Sequence, residues 1–284
     1  PTFKNIRVTN YREPDNFSDL KELLLSRVSR FVPGVRARAT ITKYNAIDIT
    51  FVASQFSNDN AEADLHYCFV ACESLLGQRD LEHWVYEIRV VSGLPKSLPD
   101  AVDLSEFSEH FLNLKNQILS GLPDVPLQQI PDENAGLFKI RKGERATCVS
   151  SQPKLMIAAL SNRPFFSIQR FSKFNEHICY LKIDETELAQ RPDRERLEDL
   201  LDARLKEENL GCAMGGGWGP IFSFVDLALT DIEKSVPIFR AIAHQMNLPK
   251  RSWLLFFDPA LSREWIGLYE DSPVPELVSS RRTL

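Results

Sequence analysis

The chain has 284 residues, of which 43% are apolar, 10% aromatic and 26% charged, with a formal net charge of −5. That composition can bury a sizeable core and excludes intrinsic disorder. The acidic balance argues against a general nucleic-acid or anionic-membrane binder, which needs a basic stripe to gain phosphate attraction. The length suits two domains.

In chain order, a helix is predicted near Asn16–Phe31, capped by Ser18 or Asp15, with Leu20, Leu23, Leu24 and Val28 as its apolar stripe. Val35–Thr42 and Ile47–Ala53 read as two strands joined by Lys43-Tyr44-Asn45-Ala46, a hairpin with a short loop. After Ser57-Asn58-Asp59-Asn60, a helix from Ala61 to Leu76 is expected to stop at Gly77. Trp84–Val91 alternates as a strand. Leu104–Ile118 is helical, with Phe107, Phe111, Leu114 and Ile118 on one face. These elements define an N-terminal α/β domain over 1–130. Gly121, Pro123, Pro126 and Pro131 then mark a connection, and 131–164 is expected to be a connecting segment. Phe138–Ile140 and Leu155–Leu160 read as short strands within it.

The C-terminal domain is expected over 165–284. Ile178–Ile183 is an apolar strand, followed by a charged helix near Pro192–Asn209 with Leu197, Leu200, Leu201 and Leu205 as its core side. The run Gly215-Gly216-Gly217-Trp218-Gly219 leads into a strand at Ile221–Leu229. A helix at Ile232–Met246 and a strand at Trp253–Phe257 follow. The fold class expected is α+β: two α/β sandwich-like units, the second ferredoxin-like, with helices on one face of an open mixed or antiparallel sheet. Both halves repeat the order strand, helix, turn, strand, which convergence explains more readily than duplication. Ile221–Val225 and Leu254–Phe257 are apolar on both strand faces, so the second face must also be covered, by the other domain, a second copy or a partner.

No apolar run reaches the ~18 residues of a membrane helix. Pro1-Thr2-Phe3-Lys4-Asn5 lacks the basic and apolar regions of a secretory signal, and Pro1 is what removal of an initiator Met leaves. The five cysteines, Cys68, Cys72, Cys148, Cys179 and Cys212, are odd in number and scattered, unlike a disulfide framework. A cytoplasmic location is expected.

The glycine run invites a phosphate-loop reading, but such loops follow a strand, open a helix and carry a lysine. This one feeds a strand without Gly-Lys-Ser/Thr, so a hinge with Trp218 as its cover is expected, and Trp218 could anchor a partner. His66, His83, His110, His177 and His244 form no metal-ligand spacing, and neither metal nor cofactor is expected. Cys68 and Cys72 share a helix face as buried apolar residues. No nucleophile signature such as G-x-S-x-G occurs, although a triad assembled from distant segments stays open. The carboxylates from Glu185 to Asp202 alternate with arginines, as on a solvated helix face. Phe222 and Phe224 share a face without interleaved basic residues, which leaves RNA binding to architecture alone.

The segment Gly215–Pro259 carries a Gly-Gly-Gly-Trp-Gly run, an apolar strand ending in Asp231, a helix, Leu248-Pro249-Lys250-Arg251-Ser252 and a strand closing with Asp258-Pro259. It resembles uncharacterised bacterial α/β domains of the kind found in immunity proteins encoded beside secreted toxins. Leu75-Leu76-Gly77 and Leu98-Pro99 before Asp103-Leu104 resemble similar domains. The resemblance covers about a third of the chain. It implies a non-enzymatic protein-binding module, an inhibitor of a cognate toxin, and carries no catalytic residues. The acidic charge suits a basic partner such as a nuclease. Expected partner-binding residues are Gly216, Gly217, Trp218, Glu185 and Glu187. No nucleic acid or membrane is expected as a partner. A small-molecule enzyme or ligand sensor with an interdomain pocket, and a homodimeric scaffold using the two-faced sheet, are the alternative readings.

Overall fold

The structure is a computed structural model, and it describes residues 11–94, 97–131, 136–139, 144–161, 166–186 and 193–276. It is an α+β protein of two compact units, Pro1–Gly121 and Leu122–Leu284.

The first unit opens with α1 (Leu20–Val28), which ends at Ser29 in the left-handed region, φ 54°. The expected caps are not made: Ser18 hydrogen-bonds to Asp19, and Asp15 accepts from Arg12. Strands β1 (Arg36–Ile41) and β2 (Ile47–Ala53) form the expected antiparallel hairpin. Asn45 takes the positive φ of its turn, and the Thr42 hydroxyl accepts from the Tyr44 and Ala46 amides. Helix α2 (Ala61–Trp84) is interrupted where a stop was expected, at Gly77, with φ 76° and ψ 157°. A Cβ there would lie 2.9 Å from Pro14 Cδ, and Arg12 O accepts the Gln78 amide instead of a helical carbonyl. Strand β3 (Val85–Ser92) returns parallel to β2, β4 (Val102–Asp103) pairs antiparallel with β1, and α3 (Leu104–Ser120) follows. The sheet order is β3-β2-β1-β4. Ala37, Ala39, Ile47, Ile49 and Phe51 share one buried core with Leu24, Tyr67, Cys68, Phe107 and Phe111 of the helices.

The second unit is built on a seven-stranded antiparallel sheet. Its strands are β5 (Gly136–Lys139), β6 (Thr147–Ser150), β7 (His177–Asp184), β8 (Gly211–Trp218), β9 (Phe222–Leu229), β10 (Ser252–Phe256) and β11 (Trp265–Gly267). Their order is β11-β10-β7-β9-β8-β6-β5. Residues 131–164 are therefore not simply a connector. They supply β5, β6 and a helix, α4 (Pro153–Leu160), and the boundary between the compact units falls earlier, at Gly121. Leu155–Leu160, expected as a strand, lies in α4: Pro153 starts the helix at its first turn, and a short run apolar on all sides fits either period.

Between β7 and β10 run α5 (Arg194–Glu207), capped by Asp193 accepting from the Arg196 amide, and α6 (Ile232–Gln245), capped by Asp231 accepting from the Lys234 amide. The chain order β7-α5-β8-β9-α6-β10 has the spatial order fourth-first-third-second. The two strand–helix–strand units of the chain thus differ. β2 and β3 are parallel neighbours, whereas β9 and β10 are separated by β7, which fits convergence rather than duplication.

All eight residues of β9 are buried, so both faces of this sheet are covered as its sequence requires. Helix α5 packs on β8 and β9. The opposite face holds a cluster of Phe222, Phe224, Trp253 and Leu255, with Tyr180 and Trp265 against it.

Candidate functional site

The glycine run is not a hinge or a loop. Gly215, Gly216, Gly217 and Trp218 form the last half of β8, hydrogen-bonded between β6 and β9, with a bulge between Ala213 and Gly215. The physical demand is close approach of backbone. A Cβ at Gly216 would overlap the Phe224 carbonyl oxygen, and one at Gly217 would overlap that of Thr147. A strand without side chains leaves room on its faces: the Arg194 guanidinium lies against Gly216 on one, and the Cys148 sulfur against Gly217 on the other.

On the α5 face, the Arg194 guanidinium lies 4.4 Å from the centre of the Trp218 ring. Its Nη1 pairs with Glu198 and would meet a Cβ on Gly216 at 2.8 Å. Burial pushes the Glu198 carboxyl above its ordinary pKa, against the opposing pull of Arg194. Trp218 faces Ser223 in the β8–β9 register, and the Ser223 hydroxyl donates to the Glu185 carboxylate. The structure thus brings Gly216, Trp218 and Glu185 together at one end of the sheet. Gly217 belongs to the opposite face, and Glu187 lies outside the described residues. Trp218 is half-buried beneath the Arg194 guanidinium, and Glu185 is buried.

The opposite face carries groups that the sequence reading passed over. Arg145 donates from Nη1 to Asp226 Oδ2 at 2.8 Å, and its Nη2 lies 2.8 Å from Oδ1. Their side chains are only 7% and 1% exposed. The guanidinium sits 4.3, 4.9 and 5.7 Å from the ring centres of Phe224, Tyr180 and Phe257. Burial alone would lower the basicity of Arg145, but attraction to Asp226 and their hydrogen bond outweigh it, so its pKa is raised. Beside this pair, Lys182 contacts both Glu144 oxygens at 2.8 and 2.6 Å and lies 3.9 Å from the centre of the Phe222 ring. At the strand end, Arg251 Nε donates to Asp184 at 2.6 Å. Burial works against the Asp184 carboxylate, but hydrogen bonds from Thr186 and Arg251 hold its pKa below the ordinary value.

The sequence signal for these groups was available. Asp226 interrupts the apolar strand Phe222–Leu229, and Lys182 interrupts Ile178–Ile183. A charge inside a fully buried strand has to be paired. What the arrangement does is fix strands. Arg145 ties β6's entry to β9, Lys182 ties β7 to Glu144, and Arg194 ties α5 to β8. The Cys148 thiol is pushed up by burial, against the pull of Arg145, which leaves it protonated and a poor nucleophile at neutral pH. Among the described residues, no group of three or more His, Cys, Asp or Glu side chains could hold a metal ion. No described helix is long and apolar enough to cross a membrane.

Comparison with known proteins adds no relative to this geometry. No family model matches the chain, and neither a curated protein nor a solved structure matches it.

Proposed function

We propose that the chain is a non-enzymatic protein-binding module, and that its partner is a toxin-class protein which it neutralises by direct contact. The observation that carries the binding reading is on α2. Leu65 and Phe69, one helical turn apart, are 45% and 48% exposed. Leu25 of α1, at 46%, is a third large apolar side chain exposed on the same unit. Large apolar groups at i and i+4 on a solvent face are the pattern of a helix that docks on another protein. The β-α-β-β-α-β core, read as ferredoxin-like, then serves as a rigid scaffold stapled by its buried ion pairs. The toxin assignment rests on the resemblance of Gly215–Pro259 and on the net charge of −5, which steers a basic partner.

The test is affinity capture from the native cell with the wild-type chain and with the Leu65→Ser/Phe69→Ser variant, each shown to be folded by circular dichroism. The expected result is a specific partner, lost with the variant, whose toxicity is relieved when the wild-type chain is produced with it. Equal capture by both chains would sink the docking face. A captured partner without toxicity would sink the inhibitor assignment.

A further inference from the structure

The four-stranded sheet of the first unit has a second face, away from its helices. That face holds two neighbouring arginines, Arg36 and Arg38, with a single distant carboxylate, Asp103, between them among the described residues. On β1, Ala37 and Ala39 point into the core, so Arg36 and Arg38 share the other face two residues apart. In register, Arg38 stands opposite Thr50 of β2, and Thr50 stands opposite Arg89 of β3. Arg89 is answered by Glu87 at 2.5 Å and Asp48 at 3.6 Å. Among the described residues Arg36 pairs with Asp103 alone, whose carboxylate is 3.6 Å from Nε and 64% exposed, too distant for a hydrogen bond. No carboxylate pairs with Arg38 among the described residues. The Nε–H groups of both Arg36 and Arg38 are shielded from solvent and have no hydrogen-bond acceptor. Shielded donors in native proteins are almost always satisfied, and two adjacent guanidinium donors call for one acceptor with several oxygens.

We propose that Arg36, Arg38 and the Thr50 hydroxyl form a binding site for a phosphate-class oxyanion. A tetrahedral dianion can accept from two planar guanidinium groups and a hydroxyl at once, which a carboxylate or a chloride cannot match. The site lies on the face opposite the helical core and does not depend on the docking residues Leu65 and Phe69. It stands or falls independently of the partner reading.

The experiment titrates the full chain with inorganic phosphate at constant ionic strength and follows the arginine Nε–H signals by NMR. Chloride and acetate are the control anions. Saturable shifts of the Arg36 and Arg38 signals with phosphate are expected, and Arg38→Gln should weaken the affinity about tenfold or more. Thr50→Val, which keeps the strand, should weaken it less. Non-saturating shifts, equal responses to phosphate and acetate, or an Arg38→Gln variant that binds as tightly as wild type would each overturn the proposal.

Discussion

Asp226→Ala is the perturbation that most directly tests how the second unit is held together. Asp226 and Arg145 are almost fully buried, contact each other through both arms of the fork at 2.8 Å, and lie within a box of Tyr180, Phe224 and Phe257. Surface ion pairs are worth little, because water answers each charge when the other is removed. Here water cannot reach the guanidinium, so deleting the carboxylate strands a buried cation. That regime costs about 3–5 kcal/mol, equivalent to roughly 6–20 °C in midpoint for a unit of this size. The pair itself adds much less than that. Replacing both groups, Arg145→Met with Asp226→Leu, should bring stability back to within about 1–2 kcal/mol of wild type, since the aromatic box accepts apolar side chains of similar volume. Urea unfolding followed by tryptophan fluorescence reads the loss, since three of the four tryptophans, Trp218, Trp253 and Trp265, lie in the second unit and only Trp84 in the first. A loss below about 1 kcal/mol for Asp226→Ala, or a double variant as damaged as the single one, would refute the reasoning.

Two further predictions concern other parts of the molecule. Gly216→Ala places a methyl group against the Phe224 carbonyl and 2.8 Å from Arg194 Nη1. It should cost about 1–3 kcal/mol by overpacking and change Trp218 fluorescence as Arg194 is displaced; an unchanged spectrum and midpoint would show that the strand has room. In the first unit, burial raises the Tyr67 hydroxyl from its ordinary 10.0 to about 12. The folded state therefore resists its ionisation, so this contribution to stability is complete below pH 10 and is lost as pH rises towards about 12. Tyr67→Phe should flatten the alkaline slope of the unfolding midpoint over that window, and a slope identical to wild type would exclude Tyr67 as its source.

Much of the α+β fold is legible in the sequence. The Asn45 turn, the break at Gly77 and the periodicity of α3 are local features, written in residues that touch their near neighbours in sequence; the Asp193 and Asp231 caps are equally local but were not read from the sequence. Leu155–Leu160 was misread because a short run apolar on every side satisfies both the helical and the strand period, and only Pro153 before it favours the helix. The predicted site fared differently. Trp218, Gly216 and Glu185 do come together, but as parts of a packed end of the sheet rather than as a free loop.

The sequence by itself determined that β9 and β10 must be covered on both faces, because a strand apolar on both sides cannot leave either one in water. It also determined that Asp226 and Lys182, charges within such strands, needed partners. Only the tertiary structure decided who those partners are. Arg145 meets Asp226 across 81 positions of sequence, and Lys182 meets Glu144 across 38. The glycine run shows the same division. Composition marked Gly215–Gly217 as a place without side chains, yet a loop and a central strand both use glycine. The choice was made by β6 and β9 closing on either side, leaving space on the α5 face that the Arg194 guanidinium fills.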